Sequence, residues 1–221
     1  MSAPRLAVLI SGGGRNLQAI LDAVAAGKIP AHVAGVISNR ADAHGLQRAR
    51  DAGVYTAVVP HANFADRAQF DAALAALLQE LRPDIVALAG FMRVLGPGFI
   101  RAFQGRIVNI HPSLLPKHRG LQTHRRALEA RDAQHGASVH FVTEELDGGP
   151  VAIQGWFMVR PQDDERTLGE RVMNEVELKI FPQALAWMAR GELRLADDGL
   201  CFRGRPLAAP LSLADLEAEF R

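Results

Sequence analysis

The sequence predicts an α/β fold: an open, mostly parallel Rossmann-like sheet with helices on both faces and antiparallel edge strands in the C-terminal half. Three observations carry this. Short aliphatic runs alternate with helical periodicities through the first half of the chain, and the first run ends in a glycine cluster that opens into a helix. The second half holds two stretches in which apolar and polar residues alternate. Strands that alternate with helices imply parallel pairing through right-handed crossovers.

Taken in order, RLAVLI (residues 5–10) is a buried strand that stops at SGGG, and Leu17, Ile20, Leu21 and Val24 then repeat with helical spacing. VAGVIS (33–38) is a second strand, followed by an Ala/Arg-rich stretch over 41–52 that ends at Gly53; TAVVP (56–60) is a third. Between Asp66 and Leu81 an apolar stripe marks a helix, broken by Arg82-Pro83 ahead of the strand DIVALAG. RIVNI (106–110) repeats the buried-strand signature. HPSLLPKHRGLQTH, with its two prolines, fits no regular element. ASVHFVT (137–143) and VAIQGWFMV (151–159) alternate and read as antiparallel or edge strands joined by EELDGGP. Asp163-Asp164 caps a long helix running to about Ala189, with Gly191 as its stop. The tail from Gly199 adds a hairpin, and LADLEAEF is a helical turn or a frayed end. One domain spans 1–221: a mononucleotide or phosphate-binding half (1–105), a catalytic half (106–190) and a tail (191–221).

Composition narrows the function. The 221 residues are 48% hydrophobic, which excludes disorder, and 25 Lys+Arg against 24 Asp+Glu leave no broad basic surface for nucleic acid or an anionic membrane. No segment has the length of a membrane span or a signal peptide, and Cys201 is the single cysteine. A cytoplasmic protein with no nucleic-acid or membrane partner is expected.

SGGGRN (11–16) stands where a strand meets a helix, so backbone N–H groups and the helix dipole converge on an anion site suited to phosphate. A dinucleotide fingerprint fails here, because Leu17 stands where a third glycine is required and Ser38-Asn39-Arg40 replace the expected acidic residue. That disfavours the NADP-binding oxidoreductase alternative. No Gly-Lys-Ser/Thr follows, so a triphosphate loop is absent too.

Asn109 and His111 lie at the end of RIVNI on one face, and in open parallel sheets ligands bind beyond the carboxyl ends of strands. Asp147 sits 36 residues further on, exposed by the turn that Gly148 and Gly149 make. An amide that donates to an oxyanion, an imidazole that moves a proton and a carboxylate beside it suit acyl transfer to an amine, without a covalent enzyme intermediate. His140 alternates into the same cleft or packs inside the sheet. His111, His118 and His124 lack metal-ligand spacing, and no metal is expected. Phe91, Met92 and Val94 can receive a flat ring, or pack in the core, and Arg93 is a carboxylate or phosphate partner or a surface charge.

Across residues 5–190, VLISGGGRNLQAI, LAGFMRVL, NIHPSLLP and LDGGP together resemble the folate-dependent glycinamide ribonucleotide transformylases. The resemblance implies formyl transfer from 10-formyltetrahydrofolate to the amine of glycinamide ribonucleotide in purine synthesis, by a monomer or a homodimer. It implies Asn109, His111 and Asp147 as catalytic, and Gly13, Gly14, Arg15, Asn16, Pro112 and Glu177 as acceptor-binding. For the folate it implies Met92, Arg93, Val94, Leu95, Asn109, Val142, Thr143, Glu144, Glu145 and Asp147. Arg15 replaces the family's usual small hydroxyl residue. The helix around Glu177 is one residue longer than the family pattern, and Leu178 replaces a histidine, which leaves Glu175 as the alternative. A formyltetrahydrofolate hydrolase, expected to carry an additional N-terminal domain, and another folate formyltransferase are the nearest rivals.

Overall fold

Strands covered on both faces have no polar side to alternate, so the continuous aliphatic runs become the centre of one sheet. In the computed structural model, which describes residues 3–197 and 199–221, these are β1 (Arg5–Ile10), β2 (His32–Ser38), β3 (Thr56–Val58), β4 (Ile85–Leu88) and β5 (Ile107–His111). The two alternating runs become β6 (Gln134–Phe141) and β7 (Val151–Met158). The seven strands are ordered β3-β2-β1-β4-β5-β6-β7; the first five are parallel, while β6 is antiparallel to both β5 and β7. Strand order reverses between β1 and β4, and the crevice that such a switch point opens lies outside their carboxyl ends.

Alternate residues of β1 feed two cores. Leu6, Val8 and Ile10 pack with helices α1 (Arg15–Ala25), α2 (Gly45–Asp51) and α7 (Leu178–Ala189). Ala7 and Leu9 pack on the other face with α3 (Arg67–Leu81) and α4 (Pro97–Ala102). Asp66 caps α3 by accepting from the Gln69 backbone N–H, and Arg82 ends it with φ 46°. Helix α5 (Thr123–Glu129) precedes β6, and α6 (Glu165–Arg171) follows β7.

The structure differs from the sequence reading at four places. Helix α4 was hidden by Gly96-Pro97-Gly98, yet Pro97 occupies its first positions, where a missing N–H costs nothing. The stretch taken as irregular throughout becomes helical at Thr123, at its carboxyl end. The long helix starts as expected, with Asp164 and Thr167 in a reciprocal cap, but residues Val172–Glu177 form a π turn between α6 and α7. The tail is a three-stranded antiparallel sheet of β8 (Leu193–Ala196), β9 (Gly199–Phe202) and β10 (Arg205–Pro206), and the last residues form two 3-10 turns that bury Phe220. No helix among the described residues is long and apolar enough to cross a membrane.

Candidate active site

The glycine turn forms one end of the site. Gly14 precedes α1 with φ 74°, a left-handed conformation, and a Cβ there would lie 2.7 Å from the Cα of Gly45. Only glycine lets the turn pack against α2 in this way. At the head of α1, the Asn16 amide donates to Glu177 Oε2 at 2.6 Å, and both side chains are buried. Burial pushes the Glu177 carboxyl above its usual range, against the opposing pull of Asn16 and Arg15. Asn16 Oδ1 is buried with no hydrogen-bond partner among the described residues. Glu175 instead pairs with Arg171 at 2.9 Å. Between the two glutamates, Glu177 is therefore the one facing the glycine turn. Arg15 is exposed and donates to Asn174.

The antiparallel register of β5 on β6 assembles the other end. Asn109 stands opposite His140, and the Asn109 amide donates to His140 Nε2 at 3.1 Å. The other ring nitrogen of His140 donates to the Phe141 carbonyl at 3.1 Å. His111, two residues along β5, donates from Nε2 to the His118 carbonyl at 3.0 Å. Asp147 adopts φ 48° in the loop between β6 and β7, and its Oδ2 accepts from the Gly120 backbone N–H at 2.8 Å. This places one carboxylate between two imidazoles: Oδ2 lies 3.5 Å from His111 Nδ1, and Oδ1 lies 3.5 Å from His140 Nε2. All three side chains are nearly buried.

Charge in this cluster is set by burial first. Burial would raise Asp147, but the Gly120 N–H that donates to it, and the pull of either facing imidazole once protonated, hold it below the usual carboxylate range. For His111 burial prevails and lowers its pKa, although the His118 carbonyl and Asp147 oppose it. A carboxylate neighbour alone would favour the imidazolium; here desolvation outweighs it, and the resting pair is neutral imidazole beside carboxylate.

A cleft of about 530 Å³ opens beside the cluster. Every residue expected at a folate is on its wall: Met92, Arg93, Val94, Leu95, Asn109, Val142, Thr143, Glu144, Glu145 and Asp147. Pro112 and His140 line it as well. Glu144 and Glu145 are drawn to the rim by ion pairs with Arg101, at 2.7 Å, and with Arg119. Gly13, Gly14, Arg15, Asn16 and Glu177 lie outside this cleft, at the glycine turn. The two ends touch through Ser11, whose hydroxyl accepts from the Met92 N–H at 2.8 Å and donates to Asn39 at 2.6 Å. Sequence reasoning missed Leu121 and Leu146, large exposed apolar residues on the cleft wall. It also missed Asp132, which holds His118 at 2.7 Å and so steadies the carbonyl on which His111 hangs. An exposed leucine in a loop and a carboxylate in a turn carry no local signal. Among the described residues no group of three or more His, Cys, Asp or Glu is arranged to hold a metal ion.

A phosphate-suited turn and an amide, imidazole and carboxylate at the head of a cleft on an open α/β sheet suit acyl transfer, and comparison with known proteins sharpens the class. The formyl transferase family pattern matches residues 4–185, so the chain belongs to the formyl transferases. The phosphoribosylglycinamide formyltransferase of Escherichia coli is 48% identical over 202 residues, covering 91% of this chain and 95% of that one. Its Haemophilus influenzae counterpart is 46% identical over 203 residues, with 92% and 95% covered. The solved phosphoribosylglycinamide formyltransferase of Coxiella burnetii superposes with a TM-score of 0.90 at 44% identity, covering 95% of this chain and 99% of the other. Within the formyl transferases, this chain is thus one of the phosphoribosylglycinamide formyltransferases, enzymes of purine biosynthesis.

Proposed function

We propose that the chain transfers the formyl group of 10-formyltetrahydrofolate to the amine of glycinamide ribonucleotide by direct attack through a tetrahedral intermediate. The observation that carries the chemistry is the placement of Asn109, His111 and Asp147 together on the wall of one cleft. The folate ring system occupies the cleft between the loop at 90–95 and the loop at 142–147. The ribonucleotide phosphate sits on the glycine turn at Gly13, Gly14, Arg15 and Asn16, with Glu177 accepting from the ribose hydroxyls and Pro112 beside the glycinamide.

Roles follow from the hydrogen-bond partners. The Asn109 amide spends one N–H on His140 and directs the other at the formyl oxygen, where negative charge develops. His111 has its Nε2–H committed to the His118 carbonyl, which leaves the Nδ1 lone pair to take a proton from the attacking amine. The amine nitrogen bonds to the formyl carbon as the carbonyl electrons move to oxygen. Collapse of the intermediate breaks the bond to folate N10, which receives the proton from His111. Asp147 faces the transient imidazolium across 3.5 Å and stabilises it. No serine or cysteine is acylated.

Incubating the purified protein with both substrates tests this reading. Formylglycinamide ribonucleotide and tetrahydrofolate should form in equal amounts. Asn109→Ala should lower kcat by about 10²–10³, the usual loss of one oxyanion donor, with the KM for the folate nearly unchanged. An inactive wild-type protein would overturn the assignment.

A further inference from the structure

We infer that the segment His118–Gly120 is a bracket that fixes the spacing of His111 and Asp147, and that Asp132, behind that segment, is the positioning residue that anchors it. The inference rests on the reading of His111 and Asp147 as working groups of the transfer. It adds to them two side chains, those of His118 and Asp132, that do not line the cleft.

Two backbone groups of one short segment hold the pair. The His118 carbonyl accepts from His111 Nε2 at 3.0 Å, and two residues later the Gly120 N–H donates to Asp147 Oδ2 at 2.8 Å. That same Oδ2 lies 3.5 Å from His111 Nδ1. The imidazole comes from β5 and the carboxylate from the loop between β6 and β7, so their separation is only as fixed as the segment that ties both.

The segment needs outside support to keep this shape. His118 and Gly120 both have positive φ, 53° and 78°. Glycine adopts such backbone freely, whereas at His118 it strains the Cβ against the carbonyl and persists only where the surroundings over-determine it. Asp132 Oδ2 supplies that constraint by accepting from His118 Nε2 at 2.7 Å, and Arg126 on α5 adds to it by donating to the Arg119 carbonyl. Asp132 is itself fixed, since it follows α5 and its N–H donates to the Ala127 carbonyl at 3.0 Å. Lys117 shares the carboxylate at 2.7 Å, but its side chain is 62% exposed, while those of His118 and Asp132 are each 12% exposed. Water screens the lysine contact, so the histidine contact does the holding. With the anchor removed, the His118 carbonyl swings away, the His111 ring turns about its Cβ–Cγ bond, and Nδ1 spends part of its time off the attacking amine.

The variants Asp132→Ala, Asp132→Asn, His118→Ala and Lys117→Ala test the bracket through two readouts. One is kcat with both KM values. The other, taken on the free enzyme, is the proton resonance of the His111 Nε2–H, identified by its absence in His111→Asn. Asp132→Ala should lower kcat about three- to tenfold, as expected for the loss of one orienting hydrogen bond, with both KM values within about twofold of wild type. It should also broaden or erase the His111 resonance while the backbone amide spectrum stays that of the folded protein. His118→Ala should do the same and, combined with Asp132→Ala, add nothing further; it also carries the test if Asp132→Ala does not fold. Asp132→Asn should recover most of both readouts, because its amide oxygen still accepts from His118, and Lys117→Ala should stay within about twofold of wild type. A His111 resonance that survives in Asp132→Ala and His118→Ala, or a kcat loss that Asp132→Asn leaves in full, would overturn the bracket. A wild type that does not formylate the ribonucleotide would overturn the functional reading beneath it, while the resonance, read without substrate, still decides the bracket.

Discussion

His111 is gripped at one nitrogen and free at the other, and its chemistry follows from that asymmetry. Its Nε2–H is held by the His118 carbonyl and its Nδ1 faces Asp147. Burial lowers its pKa, so the imidazole is neutral at neutral pH, as the base role proposed for it requires. The acid limb of activity should therefore report His111 together with deprotonation of the attacking amine, with the His111 contribution lying below the usual 6.5 of a histidine. Asp147→Asn removes a group that favours the imidazolium, so two changes should accompany each other: kcat drops, and the acid limb of the rate profile moves to still lower pH. A limb that stays in place while kcat falls would show that Asp147 acts by shaping the loop rather than through its charge.

At the scale of elements, the site depends on loops whose anchors come from elsewhere. The loop from Gly90 to Gly96 lines the cleft, and its far end is pinned by Asp71, a buried carboxylate on α3 that accepts from the Gly96 N–H at 2.7 Å. Helix α4 has no side-chain cap of its own, so Asp71 satisfies the backbone group at its start. Asp71→Ala should destabilise the protein by about 1–3 kcal/mol, the cost of an orphaned buried donor, and raise the KM for the folate severalfold while the KM for the ribonucleotide stays put. Asp71→Asn should recover much of both, because its amide oxygen still accepts. Equal loss for both substrates would mean that the loop does not serve the folate end alone. These anchors show where sequence reading stops. The parallel strands were legible because residues such as Val8 and Val86 sit in unbroken aliphatic runs, and Asn109 with His111 followed from the two-residue period of a strand. Gly148 and Gly149 advertised the turn that carries Asp147. Whether His140 faces Asn109 or the core depends on the register of β6 on β5, which no local pattern encodes. Asp71 looks like any helix acid until the loop 25 residues later folds onto it, and the π turn is invisible in a sequence whose apolar spacing is compatible with a plain helix.

For the whole molecule, acid reaches the site by two routes, and a second pair of histidines separates them. His124 and His135 share a hydrogen bond at 3.0 Å between α5 and β6, with His135 almost wholly buried. Desolvation, reinforced by the neighbouring His124, pushes His135 down to about 4. A histidine with a depressed pKa in the folded state binds its proton more readily when unfolded. Its contribution is therefore intact above about pH 6.5 and is lost progressively as the pH falls toward 4. At 1.36 kcal/mol per pKa unit, the displacement from 6.5 corresponds to about 3 kcal/mol, a large share of the stability of an ordinary domain. His135→Gln keeps an amide oxygen that can accept from His124 and has no proton to gain. Denaturant unfolding between pH 7 and 4.5 should then show a shallower fall for the variant than for wild type. The rate profile, measured over minutes at pH values where both proteins are still folded, should keep the acid limb assigned to His111, because His135 is hydrogen-bonded to His124 on the cleft wall and not to His111 or Asp147. If the variant flattens the rate profile and the stability profile together, the acid loss of activity is unfolding, and His111 does not titrate within the working range.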